Sequence, residues 1–107
     1  MLIEIRNPAA PEQIVATFDE TPLGALDDCV ARAGLAQAGW AAIPQPERGA
    51  LVANFVDALE ARAEDIAMSI TKEMGKPLAE ARGEVAKAVG ESRVCIGRAS
   101  APIGDVF

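Results

Sequence analysis

The chain has 107 residues, with 16 acidic and 10 basic side chains, a net charge of −6, no histidine and two cysteines. One domain is the ceiling at this length, and the negative balance excludes the basic face that a nucleic-acid partner requires. Without histidine there is no imidazole base and no imidazole metal ligand, so Ser-His-Asp and Cys-His catalysis and the commonest zinc sites are excluded from this chain.

In chain order, Leu2 to Arg6 alternates apolar and polar side chains and predicts a strand. Asn7-Pro8-Ala9-Ala10-Pro11-Glu12 interrupts it with two prolines, predicting a loose turn. Ile14-Val15-Ala16-Thr17-Phe18, β-branched and apolar, predicts a second strand. A lone two-stranded ribbon is marginal in water and needs a surface to lie on.

Beyond the ribbon, alanine is the commonest residue, and alanine is the best helix former. Thr21-Pro22 predicts a helix start, with Thr21 as N-cap and Pro22 at the first helical position. Leu26, Val30, Ala33, Gln37 and Trp40 recur at spacings of three and four, which predicts an amphipathic helix to about Gly39. Core packing is the expectation for Leu26, Cys29, Val30 and Trp40. Pro44 and Pro46 end that helix and begin the next. The stripe Leu51, Val52, Phe55, Val56, Leu59, Ala63, Ile66, Ala67, Ile70 and Met74 is long for one globular helix, so a break is expected between Arg62 and Glu64. Gly75 is the expected C-cap, and Pro77 forbids continuation.

The last helix opens at Pro77, with Leu78, Ala81, Val85, Ala88, Val89 and Ile96 on its apolar stripe. Gly83, Gly90 and Gly97 recur every seven residues and fall near one line on a helix. Either another backbone packs on that line, or the helix breaks at one of these glycines. Ala99 to Phe107 reads as an exit loop that leads into further chain.

Little in this pattern carries chemistry. Cys29 and Cys95 fit neither a disulfide scaffold nor a metal knuckle and read as free, buried thiols in a reducing cytoplasm. Asp27 and Asp28 beside Cys29 oppose thiolate formation, and Cys95 lies late in a helix where the dipole also opposes it. Met74-Gly75-Lys76-Pro77 fails as a phosphate loop twice, with Ile70 and Pro77 where glycine and a hydroxyl residue belong. Asp19-Glu20, Asp27-Asp28 and Glu64-Asp65 are adjacent pairs that do not converge, so they are read as surface charge. Glu80 and Glu84, with Arg82 and Lys87 near, read as an ion-pair face, and Glu60, Arg62, Glu64 and Asp65 as a solvated one. No apolar run approaches the roughly 20 residues that span a bilayer, so neither membrane nor nucleic acid is an expected partner.

The ordered set of motifs resembles the N-terminal segment of the aldehyde dehydrogenase superfamily. The residues that carry the likeness are Asn7-Pro8-Ala9 after a strand, then Ile14 to Thr17, then Ala38-Gly39-Trp40-Ala41-Ala42-Ile43-Pro44, Pro46-Glu47-Arg48 and Leu59 to Glu64. The sharpest piece is Ile70-Thr71-Lys72-Glu73-Met74-Gly75-Lys76-Pro77-Leu78-Ala79-Glu80-Ala81. Ala10-Pro11-Glu12-Gln13, Leu23-Gly24 and Val94-Cys95 depart from the family pattern. The Asn7 to Pro11 opening and the Pro102 to Phe107 exit resemble semialdehyde-oxidising branches, without assigning a substrate.

The resemblance implies oxidation of an aldehyde to an acid with NAD or NADP in the full-length enzyme. It also implies that the thiolate nucleophile, the general base, the oxyanion asparagine and the dinucleotide-binding strands lie outside this chain. No catalytic, cofactor-binding or metal residue is therefore assigned to residues 1–107, and the chain alone is expected to bind no cofactor and to be inactive. The implied fold is mostly α in this chain: an N-terminal β-ribbon at 1–20, then three to four helices at 21–107. Together they form one incomplete segment of the α/β fold, the helical part being a layer of the cofactor-binding domain. The expected partner is the remainder of the dehydrogenase chain, with a homo-oligomer at full length. The family's monovalent-cation position directs attention to the Ile5 and Arg6 carbonyls and to Glu84. The alternative reading is a free-standing helical interaction module without catalysis. A small thiol enzyme using Cys29 or Cys95 is a third reading, with the electrostatics of both thiols against it.

Overall fold

The structure is a computed structural model that describes residues 1–99. Strands β1 (Leu2–Asn7) and β2 (Ala10–Asp19) form an antiparallel ribbon, followed by helices α1 (Ala25–Ala42), α2 (Gln45–Ala61), α3 (Ala63–Met74) and α4 (Leu78–Ala99). This mostly helical architecture behind a ribbon matches the sequence expectation. The exit residues 100–107 lie outside the described residues.

The turn is tighter than the prolines suggested. β2 begins at Ala10, four residues before Ile14, and only Pro8 and Ala9 make the turn. Asn7 Oδ1 accepts the Ala9 N–H at 2.9 Å, so the side chain closes the turn that the proline opens. Pro11 is accommodated because the register is irregular there: Arg6 faces Ile14 while Asn7 faces Ala10, leaving 11–13 as a bulge. The Arg6 guanidinium donates to the Pro11 carbonyl at 3.0 Å and fixes that bulge. From Ile5 opposite Ala16 to Leu2 opposite Asp19 the ladder is regular.

Helix α1 departs from expectation at both ends. Pro22 does not sit at its first helical position. Ala25 N–H bonds to the Pro22 carbonyl at 2.9 Å and Leu26 N–H to the Leu23 carbonyl at 3.1 Å, so Pro22 opens a turn that feeds a helix capped at Gly24, with no side-chain cap from Thr21. The helix runs through Gly39 to Ala42. It stops where Pro44 holds Ile43 extended, at φ −72° and ψ 131°.

The core is small and lies among α2, α3 and α4. Val56, Ala67, Ala81, Val85 and Val89 are its buried residues, with Leu59, Ala63, Ile66, Ile70 and Leu78 half-buried around the Ala67–Ala81–Val85 cluster. Two of the five are alanines, so α3 and α4 approach closely at Ala67 and Ala81. The expected break between Arg62 and Glu64 is present at Arg62, whose N–H turns back to the Leu59 carbonyl at 3.2 Å. Helix α4 is continuous through Gly83, Gly90 and Gly97, so the helix-break reading is excluded. A Cβ added at any of the three meets nothing within 4 Å, so no described backbone packs on that line.

No residue of α1 is buried. The core role expected for Leu26, Cys29, Val30 and Trp40 is corrected: Leu26 is 58% exposed, Val30 65% and Trp40 43%, and Cys29 is exposed. The periodicity of α1 is real, but no described element lies against its apolar stripe.

Candidate functional site

The best-built local feature is the α3–α4 junction. Gly75 caps α3 in the left-handed region at φ 70°, and its N–H bonds to the Thr71 carbonyl at 2.9 Å. A Cβ there would come within 2.8 Å of Pro8 Cγ. Glycine is therefore required twice, by its own dihedral and by the ribbon turn that leans on the junction. This contact seats the ribbon on α3. It answers the need of a marginal two-stranded ribbon for a supporting surface.

Charges bind the same three helices together. Arg82 on α4 grips Glu64 on α3 with two hydrogen bonds, at 2.9 and 2.6 Å. This pairing holds the Glu64 carboxyl below the usual glutamate range and raises Arg82. Arg93 on α4 donates to Asp57 at 2.9 Å and to Glu60 at 2.5 Å, both on α2, and its pKa is raised chiefly by its hydrogen bond to the Glu60 carboxylate. Lys76 in the junction pairs with Glu84. The charged face expected on α4 thus exists, but its main partners lie on other elements. Only Lys87 with Glu91, at 3.7 Å, is a pair within the helix. Glu60 and Glu64, read as a solvated face, are exposed and also bridge to α4.

The structure separates the sequence candidates. Cys29 and Cys95 are both exposed, which corrects the expectation of buried thiols. They lie on α1 and α4, helices with no substantial contact between them. Cys29 Sγ receives the Arg32 guanidinium at 3.2 Å. Among the described residues no three acidic or cysteine side chains converge as a metal site. Ile5 and Arg6, on β1, lie where the register with the bulged β2 shifts, and Glu84 is occupied by Lys76.

A dinucleotide does not fit the residues described. Such a cofactor is bound at the C-terminal ends of parallel strands, on a glycine-rich turn that opens a helix. The sheet here is a two-stranded antiparallel ribbon. The glycine turn that opens α4, Gly75-Lys76-Pro77, is filled by Pro8 against Gly75 and by Glu84 on Lys76.

The family model for the aldehyde dehydrogenase family matches residues 1–107. The chain belongs to that family. Over 106 residues it is 32% identical to the alpha-ketoglutaric semialdehyde dehydrogenase of Bacillus subtilis, covering 99% of this chain and 22% of that protein. It is 41% identical over 92 residues to the N-succinylglutamate 5-semialdehyde dehydrogenase of Burkholderia lata, covering 85% of this chain and 18% of the relative. It is also 41% identical over 73 residues to the succinate-semialdehyde dehydrogenase of Paenarthrobacter nicotinovorans, covering 68% of this chain and 15% of that enzyme. The chain therefore spans about a fifth of the length of the aldehyde dehydrogenases it matches.

Two features of this aldehyde dehydrogenase segment escaped the sequence reading. The Arg93 clamp joins residues 33 and 36 positions apart, outside the three- and four-residue spacings that reveal pairs on one helix. The Pro8–Gly75 contact joins two motifs that were each legible, Asn-Pro and Gly-Lys-Pro. Their adjacency is a property of the fold.

Proposed function

We propose that this chain is a structural part of an NAD(P)-dependent dehydrogenase that oxidises a semialdehyde to the corresponding acid, and that it neither binds the cofactor nor turns over aldehyde by itself. The observation that carries the reading is the family match along all 107 residues, combined with relatives of which the chain is about a fifth. The semialdehyde class is supported by the names of those three relatives, each a semialdehyde dehydrogenase. The structural role is supported by the unpartnered apolar stripe of α1 and by the open glycine line of α4, both suited to a covering layer. That layer is the remainder of the dehydrogenase chain, and the assembled enzyme is a homo-oligomer. No helix among the described residues is long and apolar enough to cross a membrane. The proposed compartment is the cytoplasm, consistent with two thiols left unpaired.

The test is complementation. Residues 1–107 are purified and titrated with NAD and with NADP by calorimetry. They are then co-expressed with the part of the Bacillus subtilis relative that they do not match. Reduction of the nicotinamide is followed at 340 nm, with succinic semialdehyde as the probe. The expected result is no binding heat and no turnover alone, and turnover when the two pieces are combined. Turnover by 1–107 alone overturns the proposal. A sharp cooperative melt without dye-accessible apolar surface would favour the free-standing interaction module instead.

A further inference from the structure

Helix α4 has two opposite faces. One buries Ala81, Val85 and Val89 and packs on α2 and α3. The other carries Gly83, Gly90 and Val94, and Val94 is 52% exposed. A shallow groove of about 460 Å3 runs along this outer face, lined by Lys87, Gly90, Glu91, Val94, Cys95 and Arg98. At about 100° per residue, Glu80, Lys87, Glu91 and Arg98 all fall about 60–100° from Gly90, on one flank of the face. All four are exposed. Lys87 and Glu91 pair loosely at 3.7 Å, while Glu80 and Arg98 form no ion pair among the described residues. The other flank holds Arg82 and Arg93, whose guanidiniums are taken by Glu64 and by Asp57 and Glu60.

The order of charge along the open flank is acid, base, acid, base. Glu80 and Arg98 each stand nine residues from Val89, and Lys87 and Glu91 each stand two residues from it. In an antiparallel helix pair related by a two-fold axis, like flanks meet, and a residue before the axis faces the one equally far beyond it. About Val89 every charge on this flank therefore faces its opposite, Glu80 against Arg98 and Lys87 against Glu91, each pair twice. We infer that the outer face of α4 docks on the same face of a second copy of the 107-residue chain, antiparallel, with the two-fold axis level with Val89. The apolar groups fit the same register. Val94 comes within one residue of the level of Gly83 in the second copy, where a Cβ meets nothing within 4 Å and the site is open to receive it. Gly90 stands beside the axis, where the two backbones approach most closely. Charge complementarity of this kind fixes register more than it adds affinity. In the 107-residue chain the second copy takes the place that the remainder of the dehydrogenase chain takes at full length. The pairing follows from α4 alone, so it stands or falls independently of the proposed function.

The experiment is sedimentation equilibrium of the 107-residue chain. One helix pair buries less than about 1,200 Å2, the weak class of interface, so the chain should be a dimer at roughly 500 μM and a monomer at roughly 1 μM. Raising salt from about 50 mM to about 500 mM should weaken the dimer several-fold, because exposed ion pairs are screened. Glu80→Arg and Arg98→Glu should each raise the dissociation constant roughly tenfold, and the double variant should restore it. Val94→Asp should abolish the dimer, while Val30→Asp on α1 leaves it intact. Because Glu80, Val94 and Arg98 are exposed, far-UV circular dichroism of their variants at low concentration should match the parent. A monomer at the high concentration overturns the inference. A dimer that Val30→Asp removes and Val94→Asp does not also overturns it, moving the contact to α1. A double charge variant that stays as weak as its singles excludes the antiparallel register and overturns it as well.

Discussion

Helices α1 and α4 are written in nearly the same alphabet, alanine-rich with spaced apolar residues, and they are 18 and 22 residues long. Helix α4 buries Ala81, Val85 and Val89, whereas α1 buries nothing. Propensity explains why both are helical, because alanine favours helix wherever it stands. It says nothing about burial, which depends on a second surface. Helix α4 has two such surfaces: it runs antiparallel to α2, with Ala99 near Gln45 and Arg93 near Glu60, and it meets α3 at Ala67. Helix α1 sits between the turn at Pro22 and the extended Ile43, and no described element lies over it. The contrast separates helix formation from core formation, and single substitutions can break or sharpen it.

The largest effect is expected at the junction that holds the packed region to the ribbon. Gly75→Ala places an L side chain in left-handed backbone, costing about 1–2 kcal/mol. It also drives a methyl into Pro8, 2.8 Å away, and overpacking adds about 1–3 kcal/mol. The sum should appear as a fall in unfolding free energy in urea. In a Pro8→Ala background the second part should shrink while the first remains. If Pro8→Ala recovers nothing, the ribbon does not lean on Gly75.

The direct test of the contrast is a matched pair of truncations. Val85→Ala removes buried methyls from a residue that is 3% exposed and should cost about 2 kcal/mol. Val30→Ala makes the same chemical change on α1 at 65% exposure and should stay within about 0.5 kcal/mol of wild type. Equal effects would mean that α1 packs in solution on something the structure does not place against it.

These pairs also show what was legible in the sequence. Breakers were legible, because proline and glycine act through local sterics: the cap at Gly75 and the start after Pro77 stand where the residues put them, while the stop at Arg62 was legible only from the length of the stripe. Periodicity was legible too, and ten of the sixteen stripe residues named on α2 to α4 line the core. Which periodic helix would find a partner was not, since Val30 and Val85 look alike in sequence. The turn at Pro8-Ala9 was misjudged because Pro11 was read as a breaker, while a bulge let it sit within β2. Of the candidate site, the absence of a phosphate loop could be read from spacing, but the fate of Lys76 could not. Its ion pair with Glu84 depends on how α4 leaves the junction.

A smaller effect, of opposite sign, should distinguish local from tertiary stabilisation. Gly90 on α4 and Gly34 on α1 are both helical, and a Cβ at either meets nothing within 4 Å. Replacing either with alanine favours helix by about 0.5–1 kcal/mol. Gly90→Ala should raise the urea midpoint, because α4 unfolds with the core. Gly34→Ala should raise helicity by circular dichroism with little change in that midpoint. A loss of stability in Gly90→Ala would reveal a neighbour on the glycine line.

The smallest effect concerns the charges that bridge α3 and α4. Glu64 is exposed, so solvent screens its pair with Arg82 and the contribution is modest. The sign is still determined. The hydrogen bond from Arg82 lowers the folded-state pKa of Glu64 below its unfolded value. Such a carboxylate stabilises the fold at pH above the ordinary glutamate range. That contribution is lost as the pH falls through the lowered folded-state pKa, where both states become protonated. Glu64→Gln should therefore be slightly less stable than wild type at neutral pH and should converge with it in strong acid. An Asp27→Asn variant on α1, where the carboxyl belongs to a helix outside the core, provides the comparison. Its stability difference from wild type should remain flat across the same pH range if α1 unfolds independently of α3 and α4. Urea midpoints at five pH values would decide it. A Glu64→Gln difference that does not close on acidification would mean that the Arg82 pair is not what holds α3 against α4, and that the alanine-lined contact at Ala67 and Ala81 does so unaided.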